Sequence, residues 1–254
     1  MTDKNGTSHP LAQRIASLRL PGMHAAFLEQ MARHDLDDMT FEDRLALLID
    51  REIAERRSRA LQRRLKKAQL RHSDACFEDI NLSRPRGLDR SVVLGLGDCA
   101  WVRNGANILI TGPCGTGKSW LSCALAHKAC LEGHQAQYQR VPRLLTELRI
   151  AHGEGTVPKL YRDLARIEVL ILDDWGLAPI DAARGRDLLE ILDDRFGHRS
   201  VIVTSQLPVA DWHRQLNDPT LADAILDRLV HGAIRFELHG TSMRTDDAGA
   251  GTRA

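Results

Sequence analysis

The segment GPCGTGKSW, residues 112–120, lies near the middle of the chain and decides how the rest is interpreted. It matches the pattern G-x-x-x-x-G-K-[S/T] at every fixed position, between the apolar run NILIT (107–111) and the helix-like WLSCALAHKACLEG (120–133). Its glycines let the backbone turn tightly and direct N–H groups at phosphate oxygens, assisted by the N-terminus of the following helix. We therefore interpret the segment as a phosphate-binding loop rather than as an ordinary glycine-rich turn.

A loop of this type predicts a nucleotide as the ligand, with Mg²⁺ beside it. Lys118 is expected to reach the β and γ phosphates, and the Ser119 hydroxyl to ligate the metal. The predicted nucleotide-binding residues are Gly112, Pro113, Cys114, Gly115, Thr116, Gly117, Lys118, Ser119 and Trp120.

Two later segments carry polar side chains that suit the same chemistry. VLILDDWG (169–176) ends an apolar run with two carboxylates, which predicts Asp173 at the Mg²⁺ and Asp174 beside the attacking water. Two acids at the end of a strand are also ordinary turn residues. SVIVTSQLP (200–208) ends in Thr204, Ser205 and Gln206, which predicts either a sensor of the γ phosphate or a helix N-cap before Pro208.

The second half of the chain alternates short apolar runs with helical segments. This alternation predicts an α/β domain with a mostly parallel, five-stranded sheet covered by helices. The five runs are NILIT (107–111), AQYQR (136–140), EVLIL (168–172), SVIVT (200–204) and AIRFEL (233–238).

The N-terminal part is predicted to be helical and basic. Thr40 and Asp43 resemble a capping box that opens a helix, whose Leu45, Leu48, Ile49 and Ile53 share one face. Residues 51–71 contain nine Lys or Arg against two Glu, a net charge of +7, which leaves −6 for the remainder. Such a segment is either a solvated helix face or a surface that binds the phosphates of duplex DNA, and its charge density favours DNA binding. The predicted basic stripe consists of Arg56, Arg59, Arg63, Lys66 and Lys67.

These segments together resemble the IstB family, ATP-binding helper proteins of transposition from bacterial insertion sequences. That family is related to the DnaC helicase loaders within the AAA+ class. The specific part of the resemblance lies in TSQLP (204–208) and in DRLVH (227–231) with SMR (242–244), and it extends from about Leu11 to Arg244.

The resemblance implies roles for further residues. It implies that Thr204 or Ser205 acts as a first sensor of the γ phosphate and that Arg228 is offered to the ATP of a neighbouring subunit. Arg244 would be the second sensor, in its own subunit. Considered without the resemblance, Arg228 is a helix surface residue paired with Asp223 or Asp227. The catalytic set is then Lys118, Asp174, Arg228, Arg244, Thr204 and Ser205.

The resulting expectation is a P-loop AAA+ three-layer domain preceded by a small all-α domain. The expected boundaries are 1–72 for the helical DNA-binding region, 73–105 for a linker, 106–244 for the ATPase and 245–254 for a disordered tail. The expected partners are duplex DNA, a transposase of the same element and further copies of the chain assembled with ATP. Alternatives are a DnaC-like helicase loader, a small-molecule kinase and a nucleotide-gated binding protein that hydrolyses little.

Composition bears on location. The N-terminus MTDKNGTSHP lacks an apolar signal-peptide core, and no run is long enough to cross a bilayer. The five cysteines show no CxxC pair, which is typical of free thiols in a reducing compartment. We therefore expect a cytoplasmic protein without membrane contact.

Overall fold

The computed structural model describes residues 9–33 and 38–243. The chain divides into two compact units, one ending at Arg63 and the other beginning at Arg64. Because the division rests on contacts alone, the predicted domain boundaries at 72 and 105 stay predictions. No helix in the described ranges is both long and apolar enough to span a membrane.

The first unit is helical. It contains α1 (Pro10–Ser17), α2 (Pro21–Ala32) and most of α3 (Phe41–Ala68). α1 and α2 both begin with proline, which tolerates this position because the first helical N–H needs no acceptor within the helix. At the start of α3 the Asp43 N–H donates to Thr40 Oγ1 over 3.2 Å, and the Thr40 hydroxyl donates to Asp43 over 2.8 Å. The predicted cap is confirmed.

Glu52 holds α2 against α3. Its Oε2 accepts hydrogen bonds from the N–H groups of Gly22 (2.8 Å) and Met23 (3.1 Å), at the N-terminus of α2. A Cβ on Gly22 would lie 2.6 Å from the carbonyl oxygen of Arg51, so only glycine allows this approach. Burial raises the pKa of Glu52, but the bond from Arg56 and those two N–H groups outweigh it and leave the pKa lowered.

The apolar face predicted for α3 is not a buried face. Leu45, Ile49 and Ile53 are 37%, 42% and 42% exposed, and Leu48 is half-buried. In the described part of the first unit, the residues of α2 that are buried are Gly22, Ala26 and Gln30. Periodicity indicated which side chains share a side of α3, but the packing partner decides which side is covered.

The second unit is an α/β domain. After a 3₁₀ turn at Phe77–Asp79 come α4 (Arg90–Gly95) and α5 (Ala100–Arg103), in the segment predicted as a linker. That segment is packed on the sheet, since the Ser200 hydroxyl donates to the Trp101 carbonyl over 3.1 Å. The remaining elements are β1 (Ile108–Thr111), α6 (Lys118–Leu131), β2 (Ala136–Arg140), α7 (Val141–Glu154), α8 (Val157–Ala165), β3 (Val169–Trp175), α9 (Ala182–Asp193), β4 (Ser200–Ser205), α10 (Pro219–Val230) and β5 (Ile234–Glu237).

The five strands form one parallel sheet in the order β2-β3-β4-β1-β5. Alternate strand residues face opposite sides, and both sides are buried. On one side Leu109, Leu170 and Val203 join a core with α7, α9 and α10. On the other side α6 packs across β1 to β4. The predicted three-layer architecture, with its parallel five-stranded sheet, is confirmed.

The strand order places β4 between β1 and β3. Thr111 at the end of β1 is therefore in register with Ser205 at the end of β4, and Arg140 at the end of β2 with Asp173 of β3. Since parallel strands end at the same edge, the polar segments after β1, β3 and β4 meet there.

Substitution of Glu52 tests how the first unit is held. We expect Glu52→Ala to lower the melting temperature of helical circular dichroism by several degrees at pH 7, because two N–H groups of α2 lose their acceptor. The lowered pKa means that this stabilisation is complete above the ordinary value of 4.5 and is lost as the pH falls through the folded-state pKa. The difference between variant and parent should therefore shrink under acid conditions.

Glu55→Ala is the matched control. Glu55 forms an i,i+4 ion pair with Arg59 over 2.6 Å, as Glu52 does with Arg56, but the N–H groups of Gly22 and Met23 donate to Glu52 and not to Glu55. An equal loss of stability in both variants would contradict the role assigned to Glu52.

Candidate nucleotide-binding site

The loop Gly112–Gly117 joins β1 to α6, and its glycines have conformations that other residues rarely adopt. Gly112 has φ +140° and Gly117 has φ +88°. A Cβ on Gly112 would lie 2.2 Å from the Leu238 carbonyl oxygen, and one on Gly117 would lie 3.0 Å from Arg86 Nη1. Both positions require glycine because of the backbone angle and because a neighbour fills the space.

Lys118 is the first residue of α6 and is only 8% exposed. Its Nζ donates to the carbonyl oxygens of Gly112 and Pro113, both over 2.7 Å. The ammonium group therefore lies inside the curve of the loop, next to the N–H groups that open α6. This is the position from which a lysine reaches the distal phosphates of a nucleotide.

Asp173 is fully buried and is the convergence point of four elements. Ser119 of α6 donates to its two oxygens over 2.9 and 3.0 Å. The hydroxyls of Thr204 (β4) and Tyr138 (β2) also donate to it, and Arg71 Nη1 lies 3.6 Å from Oδ2. Burial and the bond to Asp173 raise the pKa of Tyr138, so Tyr138 stays a donor. A buried carboxylate is stable only when its lone pairs are used in this way.

Asp174 follows in a β-bulge and points elsewhere. The register between β3 and β4 shifts between Leu172 and Trp175, and Asp174 has φ +63°, a left-handed conformation that costs about 1 kcal/mol or more outside glycine. Its Oδ2 accepts from Arg140 Nε over 2.8 Å, and its N–H lies 3.4 Å from Thr204 Oγ1. The bulge separates the two carboxylates, so that one is buried and the other faces the cavity.

The two hydroxyls at the end of β4 have different surroundings. Thr204 contacts both carboxylate residues. The Ser205 hydroxyl donates to the Trp175 carbonyl (2.8 Å) and accepts from the Leu207 N–H (3.1 Å), so it shapes the turn after the strand. The alternative of an N-cap is wrong, because no side chain caps the 3₁₀ helix that begins at Val209.

These groups surround a cavity of about 700 Å³, a size typical of small-molecule sites. Of the predicted residues it is lined by Cys114, Gly115, Gly117, Lys118, Ser119, Trp120, Asp174, Thr204 and Ser205. Gly112, Pro113 and Thr116 shape the loop behind it, and Asp173 lies beneath Ser119.

The oxygens at Ser119 and Asp173 fit Mg²⁺. A hydroxyl and a carboxylate already within 3.0 Å of each other are hard ligands of the kind this ion shares with nucleotide phosphates. Within residues 9–33 and 38–243, no cluster of three or more His, Cys, Asp or Glu side chains could hold a metal alone.

Sequence reasoning missed several cavity residues. Arg71 comes from the end of the region predicted to bind DNA, Arg84 and Arg86 come from the predicted linker, and Arg140 comes from β2. The bond to Tyr138, with the nearby carboxylates of Asp173 and Asp174, raises the pKa of Arg71. One signal was available: Tyr138 and Arg140 are polar residues two apart near the end of an apolar run. What they would face depended on the strand order, which the sequence does not state.

Arg228 does not line the cavity. Arg228 of α10 pairs with Asp193 of α9 over 2.5 Å and donates to the Ala224 carbonyl, so the pairing with Asp223 or Asp227 was wrong. Arg244 lies outside the described residues. The five residues of the basic stripe all lie exposed on α3.

Ion pairs divide the basic stripe. Arg56 pairs with Glu52 over 2.7 Å and Arg59 with Glu55 over 2.6 Å, contrary to the expectation of an uncompensated stripe. Among the described residues no ion pair forms at Arg63, Lys66 or Lys67, so the free positive charge is concentrated toward the C-terminal end of α3.

Comparison with known proteins agrees with this geometry. Residues 13–249 match the family described as IstB-like ATP binding protein. An insertion sequence ATP-binding protein of Sinorhizobium fredii, y4pL, is 46% identical over 93% of this chain and 96% of its own length. The ATP-binding protein of insertion sequence IS1162 from Pseudomonas fluorescens is 48% identical over 80% of this chain and 87% of its own length.

A solved structure shares the fold at lower identity. The crystal structure of the DnaC helicase loader superposes with a TM-score of 0.55 and 18% identity, over 66% of this chain and 99% of that one. The family match covers nearly the whole chain and includes both the phosphate-binding loop and the carboxylate pair. This chain belongs to the IstB-like ATP-binding proteins of insertion sequences, and it shares its fold with the DnaC helicase loader.

Proposed function

We propose that this chain binds and hydrolyses ATP with Mg²⁺ in the 700 Å³ cavity, assembles on duplex DNA, and helps the transposase of its element select or capture target DNA. The observation that carries the proposal is the joint placement of the phosphate loop, the Ser119–Asp173 pair and Asp174 around one cavity. The relatives at 46% and 48% identity are named for insertion sequences, which favours a transposase over a helicase as the client.

The phosphate loop, Ser119, Asp173 and Asp174 each have a task in hydrolysis. The loop N–H groups and Lys118 bind the phosphates, and Asp174 orients the attacking water and accepts its proton. Mg²⁺, held by Ser119 and Asp173, would neutralise charge on the β and γ phosphates. Arg140 donates to Asp174 Oδ2 over 2.8 Å, which orients the carboxylate and leaves Oδ1 as the oxygen that accepts the proton.

The position of Arg228 supports the proposed assembly. This side chain does not line the cavity of its own subunit and is only 27% exposed, oriented by Asp193 across α9 and α10. An arginine held in this way at a helix pair is suited to the ATP of a neighbouring copy, where its planar cation neutralises charge on the transferred phosphoryl group. ATP binding would then favour assembly, and hydrolysis would favour disassembly.

The basic stripe on α3 supplies the DNA contact. Exposed Lys and Arg that face phosphates release counterions and bind duplex with little sequence preference. The unpaired end of the stripe, at Arg63, Lys66 and Lys67, should contribute more than the end paired to Glu52 and Glu55, since those pairs need not be broken.

Substitution of Asp174 tests the catalytic assignment. We expect Asp174→Asn to bind ATP like the parent. Its rate of hydrolysis should fall by about a hundredfold at least, because the proton acceptor is lost. Phosphate release at saturating ATP with duplex DNA is the measurement. Asp79→Asn, which changes another carboxylate lining the cavity, is the control and should keep its turnover. Equal turnover in the parent and Asp174→Asn would favour the nucleotide-gated binding protein that hydrolyses little.

Assembly is tested by sedimentation with duplex DNA in the presence of no nucleotide, ADP or a non-hydrolysable ATP analogue. We expect large complexes only with the analogue, and none for Arg228→Ala, because the neighbouring site stays incomplete. Asp193→Asn separates this role from the ion pair. It removes the negative charge that lies 2.5 Å from Arg228 but keeps the arginine itself.

Two outcomes count against the shared site. If Asp193→Asn lost assembly as Arg228→Ala does, the loss would be due to the broken contact between α9 and α10 and not to a missing arginine at the neighbouring site. A monomer under every condition would favour the small-molecule kinase.

The DNA surface is tested by the salt dependence of duplex binding. We expect Arg63→Gln to reduce the slope of log K against log salt concentration by about 0.9, the value for one phosphate contact. Arg59→Gln, an exposed arginine on the same side of α3 but paired with Glu55, should reduce it less. Unchanged slopes in both variants would place the DNA contact elsewhere.

A further inference from the structure

Arg86 is a buried cation beside the phosphate loop. It is 6% exposed and lines the cavity. Its Nη1 donates to the Thr116 carbonyl oxygen over 3.3 Å and to Met243 Sδ over 2.9 Å. Its Nε is buried and has no acceptor among the described residues. No carboxylate of the described chain forms an ion pair with it, so the protein gives this charge one carbonyl oxygen and a weakly accepting sulfur.

The chain contains a second buried arginine for comparison. Arg195 is 1% exposed, and its two terminal nitrogens donate to four carbonyl oxygens, of Leu164, Ile167, Glu168 and Ser200. It lies outside the cavity, and its hydrogen bonds connect the segment before β3 with the start of β4. Four carbonyl oxygens thus solvate Arg195, as expected of a structural arginine, although its Nε has no acceptor among the described residues and burial lowers its pKa as well. Arg86 has far fewer acceptors, although it also lies out of water.

An uncompensated buried guanidinium destabilises the chain that contains it. Burial, together with the nearby charge of Arg84, lowers the pKa of Arg86, which shows that both effects act against its charged form. Bound anions remove this penalty, because they supply the missing acceptors and the opposite charge. The cavity wall beside Arg86 is the place where such an anion would lie.

The loop identifies the anion. Arg86 Nη1 lies so close to Gly117 that a Cβ there would be only 3.0 Å away, and Gly117 immediately precedes the helix whose N–H groups attract phosphate. We propose that Arg86 is a phosphate-binding residue for the nucleotide of its own subunit, at the wall of the cavity that Lys118 also lines. This inference rests on the proposed nucleotide function and adds a ligand from the segment before β1.

The proposal has a consequence for stability that a structural role does not share. If Arg86 serves phosphate, its replacement by an apolar side chain of similar length removes a destabilising charge from the nucleotide-free protein. Arg86→Met should then keep or raise the melting temperature without nucleotide, while it weakens nucleotide binding. Arg195→Met should lower the melting temperature, because four carbonyl oxygens lose their donor.

The test measures the binding of fluorescent ADP and ATP, with and without Mg²⁺, together with melting temperatures of the full-length parent and variants. We expect Arg86→Met to bind both nucleotides at least about tenfold more weakly, whether or not Mg²⁺ is present, since arginine contacts phosphate directly. Pyrophosphate should displace ADP from the parent. Arg86→Lys should recover part of the affinity through its retained charge.

Other outcomes overturn the inference in distinguishable ways. Parent-like nucleotide affinity of Arg86→Met, or a nucleotide-free protein that melts earlier or does not fold, would make Arg86 a structural clamp on Thr116 and Met243. A parent that binds neither ADP nor ATP would overturn the proposed function and this inference with it. Displacement of ADP by pyrophosphate that is equally strong in parent and Arg86→Met would also remove Arg86 from the phosphate site.

Discussion

The burial of the Asp173 carboxylate is the constraint on which the rest of the site depends. A charged group at this depth must have its oxygens occupied, and here Ser119, Thr204 and Tyr138 donate to it while Arg71 lies 3.6 Å away. These partners come from α6, β4, β2 and the segment after α3. Meeting the hydrogen-bond requirement of one side chain therefore fixes the relative positions of the elements that form the nucleotide cavity.

The β-bulge after Leu172 decides where the second of two adjacent carboxylates points. In a regular strand, Asp174 would lie on the face of the sheet opposite to Asp173. The irregular backbone and the left-handed conformation of Asp174 place its side chain at the cavity, within reach of Arg140, while Asp173 stays beneath Ser119. The strained residue is thus Asp174, which is proposed to orient the attacking water, while Asp173 is proposed to bind the metal.

Arginines in this chain differ chiefly in what satisfies them. Arg195 is surrounded by carbonyl oxygens, and Arg56 and Arg228 by carboxylates, so each stabilises a particular contact of the folded chain. Arg86 and Arg63 lack such acidic partners among the described residues, and both belong to surfaces where phosphate is the proposed ligand. The acceptors that the folded chain provides, rather than residue type or exposure, separate the structural arginines from those proposed to bind phosphate.

The sequence by itself determined the phosphate loop, the five strands and the carboxylate pair, because glycine conformation, apolar runs and helix N-termini are local properties. It also predicted the cap at Thr40. Only the tertiary structure decided that β4 lies between β1 and β3, that Tyr138 and Arg140 face the carboxylates, and that α3 exposes its apolar side. These features depend on pairing and packing between segments distant in the chain, for which no local residue pattern exists.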